Sequence, residues 1–352
     1  MRTKYVLSIL LTLVFLAVVL VPPSSAQAPK AQSGPKIIRF AYSMPAKKSQ
    51  GYGWEWMGPE LEKATNGRYK IEYYPGETLF KMAAAYDSVV ANVAQIANIS
   101  VGQLEKRLPL SNGALLPTLD FPMSLKARKA AGRAFMEMYQ KLPQLQEEWK
   151  GVRLFGFHML NPYVLASKKK EVYLPEHFKG YKAGGTGLRM KLVTNNGGAD
   201  INQVPPDAYM NMDKGVVDGS FVSWSQIWDY KLWEAAKYFY DFSFGAGAFG
   251  MGMHPDLWNT MSAQDQKTFM ELWNKAYEMG IDYNYAEVDK GAKAAAAGGA
   301  KIRRPTAEEV AAWRKAGQPV IQQWLGEAKK AGAKDPEAVL AEWQKQLQAY
   351  KE

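Results

Sequence analysis

Ile37-Ile38-Arg39-Phe40-Ala41-Tyr42 is an apolar run broken once by Arg39, the pattern of a buried strand. The next sixty residues decide the fold. A loop runs from Ser43 to Gln50, and then Trp54, Met57, Leu61 and Ala64 recur at helical spacing. The helix reads as ending at Asn66-Gly67, a pair that tolerates the left-handed backbone of a helix cap. Tyr69 to Tyr74 alternates as a second strand and Pro75-Gly76 closes it. Met82 to Val93 reads as helix again and Gln95 to Ser100 as a short strand. A β-α-β-α-β order needs crossover connections, so the expected fold is α/β with a mainly parallel sheet.

Further along, Lys126 to Lys150 is helical with a break at Pro143, and Arg153 to His158 and Tyr163 to Ser167 read as two strands. Tyr181-Lys182-Ala183 opens a second alternating unit: a helix from Leu188 to Asn196, a short helix from Asp207 to Lys214, and a strand from Gly219 to Trp224. Lys237 to Ser243 reads as a strand returning towards the first unit. Ser262 to Ala297 holds no proline, and Phe269, Leu272, Trp273, Ala276 and Met279 mark one long core-facing helix. Thr306–Ala316 and Glu337–Tyr350 read as closing helices, and no internal repeat is present.

The length, 352 residues, suits two domains with ample core. With no cysteine, disulfides, thiolate metal sites and a cysteine nucleophile are excluded. The three histidines, His158, His177 and His254, are scattered, so no metal or other cofactor is expected. Arg2 and Lys4 precede the apolar run Val6 to Val21, which ends at Pro22-Pro23 and Ser24-Ser25-Ala26. That pattern is a secretory signal over residues 1–26, cleaved after Ala26 or, alternatively, Ala28, and followed by a flexible leader over 27–36. The run is shorter than the roughly 20 residues a membrane span requires. Loss of Arg2 and Lys4 lowers the net charge from +10 to +8. The remaining cations are spread along the chain, Lys168-Lys169-Lys170 and Arg303-Arg304 being the densest clusters, so they read as solvated faces and no nucleic-acid partner is expected.

Catalytic signatures are absent: no HExxH, no GxSxG and no GxxxxGK[ST]. One GxGxxG stands at Gly245 to Gly250, but Met251-Gly252-Met253-His254-Pro255 cannot open the helix that a dinucleotide site needs. A strand with close backbone approach fits it better.

Five segments carry a family likeness. Asp207 to Gly219 places Tyr209, Gly215, Asp218 and Gly219 in a Tyr–x–Ala–Leu–x–x–Gly–x–x–Asp–Gly-like pattern, with Asn211 and Met212 departing from it. Ala64-Thr65-Asn66-Gly67-Arg68 with Tyr73 to Leu79, His177 to Lys182, Trp233 to Tyr238 and Trp258 to Gln266 are the others. In this order the chain resembles the substrate-binding proteins of TRAP (tripartite ATP-independent periplasmic) transporters of the dicarboxylate type, from about Ile37 to past Trp324. The resemblance implies a periplasmic, two-lobed binding protein that closes on a small ligand and delivers it to a membrane permease. It implies one lobe from 37–158 with 243–261, a second from 159–242, a helix over 262–297 spanning both, and C-terminal helices over 298–352 packing on the lobes. A monomer is expected.

One departure bears on the ligand. The family's Lys–Gly–x–Lys stretch leads to an arginine that grips a carboxylate, and here that position holds Gly184. Arg189, five residues on, reads as a solvated helix face, with Lys182, Arg153 or the Gly184–Gly187 backbone as possible substitutes. The ligand is therefore expected to be an organic acid or an aromatic, less polar compound. Strand ends facing a cleft give the candidate site: Tyr42, Ser43, Asn98, Ser100, Tyr163, Gly184, Phe221, Ser223, Trp224 and Phe249. The rivals are an exported carboxylate-dependent hydrolase and a protein of the membrane surface.

Overall fold

The structure, a computed structural model, describes residues 34–117, 119 and 124–349. The export segment, most of the leader and the last residues of the chain lie outside them. Strand β1 (Lys36–Ala41) leads through helix α1 (Gly51–Ala64) to β2 (Tyr69–Tyr74), α2 (Ala85–Val90) and β3 (Ile96–Ser100). Helices α3 (Pro109–Asn112), α4 (Leu125–Lys141) and α5 (Pro143–Glu148) precede the 15-residue strand β4 (Arg153–Ser167). Then come β5 (Lys182–Gly185), α6 (Met190–Asn195), β6 (Ala199–Asn202), α7 (Ala208–Asp213), β7 (Gly219–Ser223) and α8 (Trp224–Asp229). The chain ends with β8 (Tyr238–Tyr240), β9 (Ala246–Met253), α9 (Pro255–Asn259), α10 (Ala263–Ala297), β10 (Lys301–Arg303), α11 (Ala307–Lys330) and α12 (Pro336–Ala349).

The opening unit forms in the expected order, with the second helix shortened from Met82–Val93 to Ala85–Val90 after one 3-10 turn at Met82–Ala84. Parallel β1 and β2 set Ile38 opposite Ile71, β3 joins on the other side, and Asn66 and Gly67 take the left-handed backbone after α1. The sheet as a whole is mixed, not mainly parallel. Strand β9 runs antiparallel between β3 and β4, completing a first half in the order β2-β1-β3-β9-β4. The second half of β4 leaves β9 and pairs antiparallel with β7 on one side and β8 on the other, giving β6-β5-β7-β4-β8-β10.

The two strands expected at Arg153–His158 and Tyr163–Ser167 are thus one. Pro162 lies inside this strand and needs no ladder N–H, because it sits where the β4–β9 register shifts between Met159 and Pro162. The GxGxxG stretch is the strand β9. Its glycines make room for neighbours: a Cβ at Gly250 would collide with Trp149, and one at Gly252 with Ile99 and Val152. Helix α11 runs far beyond Ala316, taking Pro319 into its interior. Buried Trp313, Val320, Ile321 and Trp324 on its inner face outweigh the proline penalty.

Helix α10 ties the halves together. Gly53 of α1 meets the backbone carbonyl of Ala276, and Gly280 meets Gln50, while further along Gly291 meets the carbonyl of Trp224 in α8. Three apolar clusters fill the interior. One lies around β3, β4 and the C-terminal helices, one between α1, the first sheet half and α10, and one beneath α7 and α8. No helix of the described residues is long and apolar enough to cross a membrane.

Candidate functional site

The C-terminal ends of β1, β2 and β3 face those of β5, β6 and β7 across a cavity of about 900 Å³. Crevices beyond the carboxyl ends of parallel strands are where open α/β sheets bind ligands. One wall is the β1–α1 loop (Ser43, Lys48, Ser49, Gln50) with Glu77, Lys81 and Ser100. The opposite wall is Thr186, Gly187 and Arg189 after β5, the Pro205–Asp207 segment after β6, and Ser223 at the end of β7 with Ser225, Gln226, Trp228, Asp229, Tyr230, Lys231 and Trp233 beyond it. The floor is Asn161 and Tyr163 of β4, Gly247 to Phe249 of β9, and Asn284 of α10.

Arg189 is the one arginine among the lining residues. It is the N-cap residue of α6, and it is buried, not on a solvated helix face. Its Nη1 donates to the Thr186 carbonyl at 2.9 Å, Nη2 to Ala246 at 2.9 Å and Nε to Phe244 at 3.4 Å. The guanidinium lies 3.9 Å over the Tyr163 ring. Of five N–H groups three are taken, which leaves one on each terminal nitrogen to donate to a further acceptor. Burial lowers its pKa to about 10, so it stays charged at neutral pH. Lys182 and Arg153, the expected substitutes, lie elsewhere: Lys182 Nζ donates to the Gly215 carbonyl and Arg153 stacks on Trp258.

Ser43, Ser100, Tyr163, Ser223 and Phe249 of the sequence candidates line the cavity, and the other five do not. Tyr42 is core, edge-on to Phe40 and Trp54, with its hydroxyl donating to Glu55 at 2.5 Å. Asn98 supports the wall from behind, accepting from Ser43 N and donating to Ser43 Oγ, both at 3.1 Å. Phe221 packs on Phe178 and Phe244. Trp224 stacks on Phe239 and donates from Nε1 to Asp241 at 2.8 Å. Gly184 does not leave an empty place for a side chain: a Cβ there would run into Gln203, which donates to Ser220 Oγ at 2.6 Å and accepts from Asn211 at 2.7 Å.

The aromatic surface comes instead from Trp228, Tyr230 and Trp233, on and after α8, where Trp228 and Trp233 stack at 5.4 Å. Asp229 between them has its pKa raised to about 6, first by burial and then by Glu287, with Lys48 and Lys290 opposing. The candidates named from the sequence in this region end at Trp224, the first residue of α8, and leave out Trp228, Tyr230 and Trp233; the tryptophan spacing at 224, 228 and 233 was the available signal. No histidine stands among the lining residues to activate their serines. His158 is buried among Trp54, Trp273 and Tyr277.

Residues 40–327 match the profile of the bacterial extracellular solute-binding proteins, family 7. A solute-binding protein of Albidiferax ferrireducens is 27% identical over 179 residues, about half of each chain (51% of both). The C4-dicarboxylate-binding periplasmic protein DctP of Rhodobacter capsulatus is 25% identical over 348 residues, 97% of this chain and 99% of its own. A solved TRAP solute-binding protein from a marine metagenome, described as specific for aromatic acid ligands and holding 3-hydroxybenzoate, superposes with a TM-score of 0.79. It is 20% identical over 91% of this chain and all (100%) of its own, a likeness of fold. These relatives are binding proteins, which sets the hydrolase reading aside. With a profile that covers most of its length and a cavity between two sheet halves, the chain belongs to the bacterial extracellular solute-binding protein family 7 and acts as a solute-binding protein, not an enzyme.

Proposed function

We propose that this chain is the exported, ligand-capturing component of a TRAP-type uptake system, and that its ligand is an organic acid held by the free fork of Arg189. The observation that carries this reading is a buried guanidinium with one open N–H on each terminal nitrogen, facing a cavity of about 900 Å³. Tyr163, Trp228, Tyr230 and Phe249 supply an apolar body-binding surface, so an aromatic acid suits the cavity better than a short dicarboxylate. The Rhodobacter and metagenome relatives bind C4-dicarboxylate or aromatic acids, by their descriptions, which supports the acid class. Ser43, Ser100 and Ser223 serve as polar contacts.

The lobes are 37–158 with 243–261 and 159–242. Helix 262–297 is the spine, and 298–352 packs on both. Residues 1–26 direct export and are removed. The mature monomer closes on its ligand and docks on a membrane permease, with no nucleic-acid partner.

A thermal-shift screen of carboxylic acids tests this directly. A ligand at 100 times its Kd stabilises the fold by about 2.7 kcal/mol, a melting shift of several degrees. Small-angle scattering at saturation should show a more compact particle. A panel of aromatic and aliphatic acids that leaves both measurements unmoved would refute the reading.

A further inference from the structure

We propose that Arg128 is a positioning residue that fixes the direction of a hydrogen-bond chain in the cavity wall, so that the wall offers donors and selects acids carrying a second hydrogen-bond acceptor. The proposal rests on the reading that the cavity binds an acid.

Arg128, on α4 behind the cavity, is 2% exposed and does not line it. Its Nη2 donates to Asn284 Oδ1 at 3.3 Å. A guanidinium has donors only, so the Asn284 oxygen must face it and the amide nitrogen must face the other way. That nitrogen donates to Ser49 Oγ at 3.0 Å and to Ser225 Oγ at 3.3 Å. Ser225 Oγ also accepts from Asn161 Nδ2 at 2.8 Å. With both lone pairs filled, the Ser225 hydrogen turns to Ser223 Oγ, 3.0 Å away.

Ser223 already accepts from the Gln226 N–H at 3.3 Å as the cap of α8. Its own hydrogen is therefore left to point into the cavity. At the other end Ser49 accepts from Asn284 and donates to Gln50 Oε1 at 2.5 Å, which turns the Gln50 amino group outward. Were the Gln50 amide reversed, the Ser49 hydrogen would be released instead, and the wall would still present a donor.

Ser49, Gln50, Ser223 and Ser225 all line the cavity. The one bare acceptor in this chain of bonds is Asn161 Oδ1, which is buried and unpartnered among the described residues. A donor wall set apart from the Arg189 fork is complementary to a second carboxylate, keto or ether oxygen on the ligand.

Calorimetry with the purified protein and matched pairs of acids tests the idea. The pairs are 4-methylbenzoate with terephthalate and butyrate with succinate, each differing by a methyl replaced with a carboxylate. The unmodified protein should favour the acceptor-bearing member of at least one pair by about tenfold, the weight of one or two well-made bonds. Arg128→Met should cut that preference to less than about threefold while the methyl member keeps its affinity, and Arg128→Lys, still donor-only, should retain most of it.

Asn284→Asp is the second variant, should Arg128→Met fail to fold. Its carboxylate accepts from Ser49 and Ser225, draws their hydrogens away from the cavity, and should abolish the preference. Acids bound without preference in either pair would overturn the inference and leave acid binding standing. A preference unmoved by Arg128→Met and Asn284→Asp, or an affinity loss shared equally by both members, would also overturn it. If no acid binds, the functional reading fails and this one with it.

Discussion

Replacing Arg189 by Met removes the guanidinium fork open to a carboxylate while keeping side-chain length. Each charge-assisted bond lost contributes about 1.5–3 kcal/mol, so titration calorimetry should record at least a tenfold loss of affinity for an acid ligand. Arg189→Lys should not restore it, because an ammonium cannot serve Thr186, Ala246 and a bidentate ligand at once. Unchanged acid affinity in both variants would remove Arg189 from the site. The position was not readable along the chain because two of the carbonyls that hold Arg189, Phe244 and Ala246, lie 55 and 57 residues away. Helix spacing assigns it to an outer face only if α6 begins at Leu188, whereas α6 begins at Met190.

The two tryptophans of α8 separate packing from binding in the same way. Trp224→Ala opens a hole beneath the second sheet half and should cost about 3–5 kcal/mol of stability. Trp228→Ala should leave the melting point nearly unchanged and weaken an aromatic acid by about 1–2 kcal/mol. Chemical denaturation beside ligand titration checks both, and the reverse assignment would show that the cavity lining is misplaced.

Helix α10 gains its grip on both halves from residues that are poor helix formers. Gly→Ala in a helix interior ordinarily stabilises by about 0.5–1 kcal/mol. At Gly291 the added methyl meets the Trp224 carbonyl, so Gly291→Ala should destabilise in spite of propensity. Gly326 of α11 has open space around it, and Gly326→Ala should stabilise by the ordinary amount. Melting curves of the pair, moving in opposite directions, are the expected outcome; movement in the same direction would mean that α10 yields easily to α8. The helix itself was plain in the sequence because Phe269, Leu272, Trp273 and Ala276 repeat at its period and Ser262 caps it. Strand β4 and the far end of α11 were not. In both a proline, Pro162 or Pro319, carries the local signal of a break, and the contacts that override it come from residues distant in the chain.

Acid should loosen the whole protein through His158. Its ring is fully buried, and desolvation first, then the charge of Arg128, lowers its pKa from 6.5 to about 3. The folded chain therefore leaves this ring neutral where the unfolded chain would protonate it. The stability it contributes is complete above pH 6.5 and is lost as pH falls towards 3, by roughly 4–5 kcal/mol at about 1.4 kcal/mol per pH unit. Urea midpoints measured from pH 7 to 4 should fall more steeply for the unmodified chain than for His158→Leu. Parallel slopes would show that other groups govern the acid limb.

Strand β9 (Ala246–Met253) lies between β3 (Ile96–Ser100) and β4 (Arg153–Ser167), both of which precede it in the chain. A ribosome has therefore delivered nearly three-quarters of the sequence before the missing centre strand exists. Until then β3 and the first half of β4 have no partner between them, and the halves cannot settle around a shared core. Pairings of such long sequence separation form slowly. On the proposal that the chain is exported, a nascent chain this slow to close would stay threadable, which is the condition a secretion channel demands of its cargo.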